Sequence, residues 1–365
     1  MHAETVTRRL RLGLVFVAAL LAVLALSAGI AQAAPGGGAV YTETNGTPNQ
    51  VLVYDRAPDG TLSPGVAFNT GGTGAGLVHP PQSAIALSQD GRWLFAVNAG
   101  SNDVTVFAVK PWGLVQVDKE PSGGSMPVSL TVHNHLLYVL NAGGTANIAG
   151  FHIGPFGKLH AVPGSIKPLS GLTTFPEQIS FNPEGNLLVV TELDTNLIDT
   201  YKVNFWGAAA SPVTHASSGP APYGFAFDNR GMLLVSEASG ALSSYEANAH
   251  QFDVISGSVS NGPLGSPCWV AITGNGKYAY TGNGGDGSIS SYRVSPKGKL
   301  SLLSGTAGQG GAILDLAFSN NSHFLYALDK GTAAIDIFRA NPDGSLTAAG
   351  SIGGVPGSAT GLVAR

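Results

Sequence analysis

The sequence predicts an all-β protein, a seven-bladed β-propeller built from four-stranded antiparallel blades. Three observations carry this. A strand–turn–strand–loop–strand unit recurs along the chain, its third strand always closes on an aromatic residue, and Gly or Pro interrupts every eight to twelve residues so that no helical periodicity survives. The clearest copy is Ser83–Asn98, two apolar runs joined at Gln89-Asp90-Gly91, then Asp103-Val-Thr-Val-Phe107. Asp-Gly between apolar runs is a hairpin signal. The same unit returns around the turns at His133-Asn134, Asn182–Asn186, Asp228–Gly231, Thr273–Gly276 and Ser319–Ser322.

The closing aromatics are Tyr54, Phe107, Phe151, Tyr201, Tyr245, Tyr292 and Phe338, spaced by 53, 44, 50, 44, 47 and 46 residues. Four short strands every 40 to 50 residues, seven times over, match propeller blades. Fourth strands are expected at Leu114–Asp118, Leu159–Val162 and Leu300–Leu303. The first copy, Ala39–Thr44 then Val51–Tyr54, lacks an opening strand. The tail Pro356–Ala364 reads as the missing piece. If it inserts there, the ring closes without a long unpaired edge.

Composition narrows the function classes. The 365 residues include 44% hydrophobic and only 11% charged residues, a balance opposite to that of disordered chains. A single cysteine excludes an internal disulfide framework and a Cys-rich zinc site. A formal charge of −4 argues against nucleic acid as a partner. The 51 glycines are turn residues; Gly71-Gly72-Thr73-Gly74 precedes no helix, which a phosphate cradle requires.

At the N-terminus, Arg8, Arg9 and Arg11 precede an apolar run, Leu12–Ala28, and Ala31-Gln32-Ala33 has the small-x-small form of a cleavage site. These are the parts of a secretory signal peptide over 1–33, with the propeller over 34–365. Export by the general or the twin-arginine route is left open. Cleavage removes three arginines and Glu4, leaving 15 basic and 21 acidic residues. No later stretch is long and apolar enough to span a membrane. The expectation is a secreted, extracytoplasmic monomer.

A propeller gathers residues at its strand ends around a central channel. Aligning the repeats places Asn45, Asn98, Asn141, Glu192, Glu237, Asn283 and Asp329 at the exits of second strands. Ser83, Glu177, Gln178, Tyr223, Cys268, Trp269 and Asp315 fall at the entrances of first strands. The asparagines have a plain role in closing turns. Glu192 and Glu237 are less expected in strands and are candidate catalytic groups, since clustered acids raise one another's pKa. Glu177, Gln178, Tyr223, Trp269, Asn98, Asn141 and Asn283 are candidate substrate-binding residues. No cofactor is required by the pattern, although Glu192, Glu237 and Asp329 form a candidate site for a divalent cation such as calcium. His133-x-His135 falls at a hairpin on the opposite end and lacks further ligands. Cys268 reads as a buried, inert thiol.

The repeats Ser88–Asn98 and Phe181–Leu193 resemble those of the lactonase-family propellers, which include propeller-type 6-phosphogluconolactonases and fungal carboxymuconate cyclases. The resemblance covers nearly all of 39–365 and implies a lactone as ligand. Active members carry a Pro-Arg-His entrance and an Asn-Glu-Leu exit in one blade; this chain has Pro176-Glu177-Gln178 and Thr191-Glu192-Leu193. Only Glu192 carries over. Ser125-Met126-Pro127 replaces a His-Pro-His-like entrance, and Glu237 replaces an arginine. Cations there would hold an anionic substrate and stabilise an oxyanion. Their exchange for acids points to a neutral or cationic lactone, with Glu192 as general base. The alternative is a non-catalytic binding propeller for a ligand, polymer or protein.

Overall fold

The strands lie in seven separate sheets arranged as a ring. The computed structural model describes residues 37–76, 82–262 and 265–365. The expected signal peptide lies outside them, and no helix among the described residues is long and apolar enough to cross a membrane. Blade 1 contains β1 (Gly38–Glu43), β2 (Gln50–Arg56), β3 (Val66–Asn69) and, as its innermost strand, β29 (Thr360–Ala364). Blade 2 has β4 (Ile85–Leu87), β5 (Trp93–Asn98), β6 (Asp103–Lys110) and β7 (Gly113–Pro121). Its opening strand is therefore shorter than the Ser83–Ser88 run suggests. Blade 3 has β8 (Ser125–His133), β9 (Leu136–Gly143), β10 (Asn147–Ile153), β11 (Leu159–Ala161) and a short β12 (Lys167–Pro168), the last two both pairing with β10.

Blade 4 comprises β13 (Pro176–Phe181), β14 (Leu187–Glu192), β15 (Leu197–Lys202) and β16 (Val213–Ala216). Blade 5 comprises β17 (Pro222–Phe227), β18 (Met232–Glu237), β19 (Ala241–Asn248) and β20 (Gln251–Ser260). Blade 6 comprises β21 (Pro267–Ile272), β22 (Tyr278–Asn283), β23 (Ser288–Val294) and β24 (Leu300–Gln309). Blade 7 comprises β25 (Ile313–Phe318), β26 (Phe324–Asp329), β27 (Ala334–Ala340) and β28 (Leu346–Gly353). The innermost strands β29, β4, β8, β13, β17, β21 and β25 each adjoin the next, and β25 returns to β29.

The turn between first and second strands needs one residue in the left-handed region. That residue is Gly91, Asn134, Gly185, Gly231, Gly276 and Ser322 in blades 2 to 7. Each sheet is covered on both faces, so its second strand is apolar throughout, as in Leu94–Val97 or Leu187–Val190. The core is consequently divided into seven layers, six of them shared by two consecutive blades, while the layer of blades 7 and 1 also takes in Tyr223, Cys268 and Trp269. Tyr41, Val51, Ile85 and Phe107 join blades 1 and 2. Tyr54, Leu328, Ile337 and Leu362 join blades 7 and 1. All seven closing aromatics are buried. Tyr138, Tyr280 and Tyr326 donate from the second strand of one blade to the carbonyls of Gly207, Gly344 and Gly60 in the outer turn of the next.

The tail does complete the first blade. Thr360–Ala364 pairs antiparallel with β1, with Val40 opposite Ala364 and Glu43 opposite Thr360. Ser358 Oγ donates to the Thr44 carbonyl at 2.6 Å, and Asp315 Oδ2 in β25 accepts from Leu362 N at 2.9 Å. Removing residues 360–365 should expose the β1 edge and open the last core layer, seen as aggregation and loss of cooperative thermal unfolding. Asp315→Ala strips the acceptor from the buried Leu362 amide and should cost about 1–3 kcal/mol in urea unfolding.

Candidate active site at the channel mouth

In a propeller only the innermost strand faces the axis. The second strand lies about 4.8 Å farther out, one strand spacing. This decides where the predicted residues point. Glu192, Glu237 and Asp329 do end their strands at the predicted end of the ring, yet each turns sideways onto the crossover that enters its own blade. Glu192 accepts from Ser170 N at 3.0 Å and from the hydroxyls of Ser170 and Thr195 at 2.5 and 2.6 Å. Glu237 accepts from Gly219 N at 2.9 Å and from Ser243 and Ser258 Oγ at 2.5 and 2.7 Å. Asp329 accepts from the amides of Gly311, Ala312 and Gly331 and from Thr332 Oγ1.

The asparagines behave alike. Asn98 accepts from Thr70 Oγ1 at 2.6 Å, Asn141 donates to Ser122 O at 3.2 Å, and Asn283 accepts from Asn261 Nδ2 at 3.3 Å. The crossovers admit these side chains because glycine stands where a Cβ would strike them: Gly72 against Asn98, Gly124 against Asn141, Gly219 against Glu237. Among the described residues no three His, Cys, Asp or Glu side chains converge as metal ligands, and Glu192, Glu237 and Asp329 sit in three separate hydrogen-bond sets.

The register of blade 1 also lies two residues from the predicted one. In blade 1 the residue equivalent to Glu192 is Glu43, opposite Thr360 as Glu192 is opposite Pro176; Asn45 lies in the following loop, where its Oδ1 accepts from Ala75 N. Glu43 escaped the repeat alignment because Asn45 matched the more common asparagine. Burial pushes its carboxyl well above the usual range. Two further acids pair with second-strand ends: burial and the Asp329 charge lift Asp336 to about 7, and burial with the Glu192 charge raises Asp199.

What the structure does gather is the entrance set. A bulge interrupts the innermost strand one residue after its start: Pro176 is opposite Glu192 but Gln178 is opposite Thr191. The skipped residue is Glu177 in blade 4. Its counterparts are Tyr223 in blade 5 and Cys268 in blade 6, followed by Leu314, Gly361 and Val128 around the ring. Three consecutive blades therefore present an acid, a phenol and a thiol, and blades 7, 1 and 3 present apolar or small groups. The β4–β5 pairing of blade 2, from Ile85 opposite Ala96 to Leu87 opposite Leu94, is regular.

Glu177 is fully buried, and Tyr223 is its side-chain partner. Burial lifts its carboxyl to about 8; the Tyr223 hydrogen bond opposes this and the Asp194 charge adds to it. Glu177 is thus mostly a neutral acid at pH 7. Burial and the Glu177 charge push the Cys268 thiol up to about 12, which makes it a poor nucleophile. The Tyr223 and Trp269 rings meet edge to face with centroids 5.7 Å apart, and the buried Trp269 Nε1 has no acceptor among the described residues. The charges acting on Glu177, Tyr223 and Cys268 come from one another and from Asp194, with no Lys or Arg among them.

Beneath this layer two glutamines brace the wall. Gln178 accepts from Phe225 N at 2.6 Å and donates to Phe225 O at 2.9 Å. Gln82, in blade 2, reaches Val270 in blade 6, donating to its carbonyl at 3.0 Å and accepting from its amide at 3.2 Å. The channel is therefore bridged, and its far end opens into a cavity of about 380 Å³ lined by Gln82, Thr131, His133, Gln178, Phe181 and Phe227. Gln82 precedes any strand pattern, so no sequence signal marked it. His133 packs on Phe181 at 5.7 Å, and burial lowers its pKa.

The family described as "Lactonase, 7-bladed beta-propeller" matches residues 39–168 and 236–360, more than half of the chain. This chain belongs to that family. The unmatched stretch, 169–235, holds Glu177, Gln178, Glu192 and Tyr223. Similar solved structures include a protein from Lactobacillus plantarum (16% identity, TM-score 0.74, covering 90% of this chain and 99% of that one). The periplasmic gluconolactonase of Pseudomonas aeruginosa is also similar (16%, 0.72, 90% and 99%). A Bacteroides fragilis protein, a candidate 6-phosphogluconolactonase, gives 20% identity and a TM-score of 0.70 over 90% and 98%. A comparison with curated proteins finds none that matches.

The raised pKa of Glu177 makes a stability prediction. A carboxyl whose folded pKa is about 8 and whose unfolded value is near 4.5 contributes most when protonated, below the unfolded value, and that contribution is lost as pH rises toward 8. Asp315, lifted by burial to about 8, acts in the same direction. Unfolding free energy should therefore fall between pH 5 and pH 8, and Glu177→Gln should flatten part of that slope in denaturant titrations at several pH values.

Proposed function

We propose that this protein is a lactonase-family hydrolase that acts outside the cytoplasm on an uncharged lactone, with Glu177 as its acid–base group. The observation that carries the reading is a buried carboxyl with a pKa of about 8 at the mouth, beside Tyr223 and the unpartnered Trp269 indole. Perturbed acids of this kind mark functional sites, and a pKa near the working pH suits proton transfer in both directions. Deprotonated Glu177 takes a proton from water as the water oxygen bonds to the lactone carbonyl carbon. The indole N–H donates to the oxyanion that forms. The ring C–O bond then breaks, and the leaving alkoxide takes the proton back from Glu177. Glu192 has its oxygens engaged by Ser170 and Thr195, which suits it to holding the blade rather than to activating water.

Acidic surroundings without a cation favour neutral over phosphorylated or carboxylated substrates. The signal-like first 33 residues support the extracytoplasmic location. The opposing reading, a binding propeller without turnover, is favoured by the complete burial of Glu177. The two separate on a panel of neutral and phosphorylated lactones. Hydrolysis of a neutral lactone should rise with pH through an apparent pKa near 8, and Glu177→Gln should lower kcat about 10²–10⁴-fold. Unchanged turnover in that variant defeats the assignment of Glu177. Binding of a lactone with no turnover in the wild type decides for the binding protein.

A further inference from the structure

The end of the ring opposite the mouth carries a feature the lactone site does not use. The turn between the third and fourth strands of each blade lies on the outer rim of that end. In blades 1, 6 and 7 its tip residue, just before the turn glycine, is Asp59, Lys297 and Asp343; blade 5 has a tighter turn with His250. In blades 2, 3 and 4 it is Trp112, Phe156 and Trp206, the last preceded by Phe205. These four rings are 72%, 79%, 75% and 92% exposed in that order, far beyond the half-buried state usual for large aromatics.

The tips are held outward by the fold. The glycine after each ring has positive φ (124° at Gly113, 78° at Gly157, 82° at Gly207) and sits against the preceding blade, on Phe68, Trp93 and Leu136 respectively. At Gly207 the clamp includes Tyr138, whose hydroxyl donates to Gly207 O at 2.7 Å and accepts from Ala209 N at 2.9 Å. Phe205 and Trp206 stand edge to face at 5.3 Å, a ready wedge.

Basic residues accompany the three aromatic tips, while blade 6 has Lys297 and Lys299 without an aromatic, and Asp90 and Glu184 lie in the first hairpins of blades 2 and 4 at the same end. Lys110, Lys158 and Lys202 flank the three aromatic tips, and the tip segments 110–113, 154–158 and 202–207 contain no acid. Lys158 is held by Asp118 at 2.9 Å, whereas Lys110 and Lys202 are exposed and meet no carboxylate among the described residues. A chain of net negative charge thus presents an arc of aromatic and basic residues over three adjacent blades. Aromatic rings settle at the headgroup level of a bilayer, and lysines beside them are drawn to anionic lipid. Rings on separate convex turns suit a broad flat surface; a sugar polymer would be stacked along a groove.

We propose that this rim docks the protein on an anionic phospholipid surface, leaving the mouth facing away from it. The test uses the full chain and the quenching of tryptophan fluorescence by vesicles of brominated phosphatidylglycerol, which reports contact between rings and acyl chains. The wild type should be quenched, more strongly at low than at high salt. Phe156→Ser/Phe205→Ser keeps every tryptophan and should raise the lipid concentration for half-quenching at least tenfold. Lys110→Glu/Lys202→Glu should do the same, with an unchanged melting temperature in both variants. No quenching, equal quenching by brominated phosphatidylcholine, or unaltered quenching in Phe156→Ser/Phe205→Ser overturns the proposal. Retention on an insoluble polysaccharide without vesicle quenching overturns it as well.

Discussion

The structure depends on a polar side chain at the end of the second strand in blades 2 to 7 that fastens the incoming crossover to its blade. A propeller has no central core, so seven thin apolar layers must be held in register at their open ends. Thr70 with Asn98, Ser122 with Asn141, Ser170 with Glu192, Gly219 with Glu237, Asn261 with Asn283 and Gly311 with Asp329 are six versions of one device. A buried polar group without a partner is costly, so each latch also specifies where the crossover must sit. Glycine opposite the latch supplies the room.

That device frees the innermost strands for other work. Their bulged position is under no obligation to close a turn. Around the ring it varies from acid to phenol, thiol, leucine, glycine and valine, which is what a binding surface requires and what a latch could not tolerate. The family match and the site chemistry overlap only in part, since Cys268 and Trp269 lie inside the matched residues. The stretch that falls outside the match, 169–235, contains Glu177 and Tyr223 together with all of blade 4 and its Ser170–Glu192 latch.

Much of the architecture was legible because turns are local. Asp90-Gly91 and Asn134 mark hairpins whatever surrounds them, and the closing aromatics repeat at blade spacing. Even closure through Thr360–Ala364 could be read, since a missing strand at one end matched a spare one at the other. Side-chain direction was not legible. Glu192 and Glu177 both lie at the same end of blade 4, but one belongs to the second strand and the other to a bulge in the first. A bulge shifts facing by one residue and leaves no compositional trace; Glu43 passed unnoticed because Asn45, two residues on, matched the asparagines of the other blades. Gln82 was hidden for another reason: its partner, Val270, is 188 positions away.

The shared first blade has a bearing on biosynthesis. Because β1 must wait for Thr360–Ala364, and Thr360 lies 318 positions after Thr42, the circle cannot be sealed until every other strand of the seven blades has been made. Until β29 has been made the growing chain holds an open arc with two free flanks, and the step that closes the ring is the pairing of two segments from opposite sides of the propeller sequence.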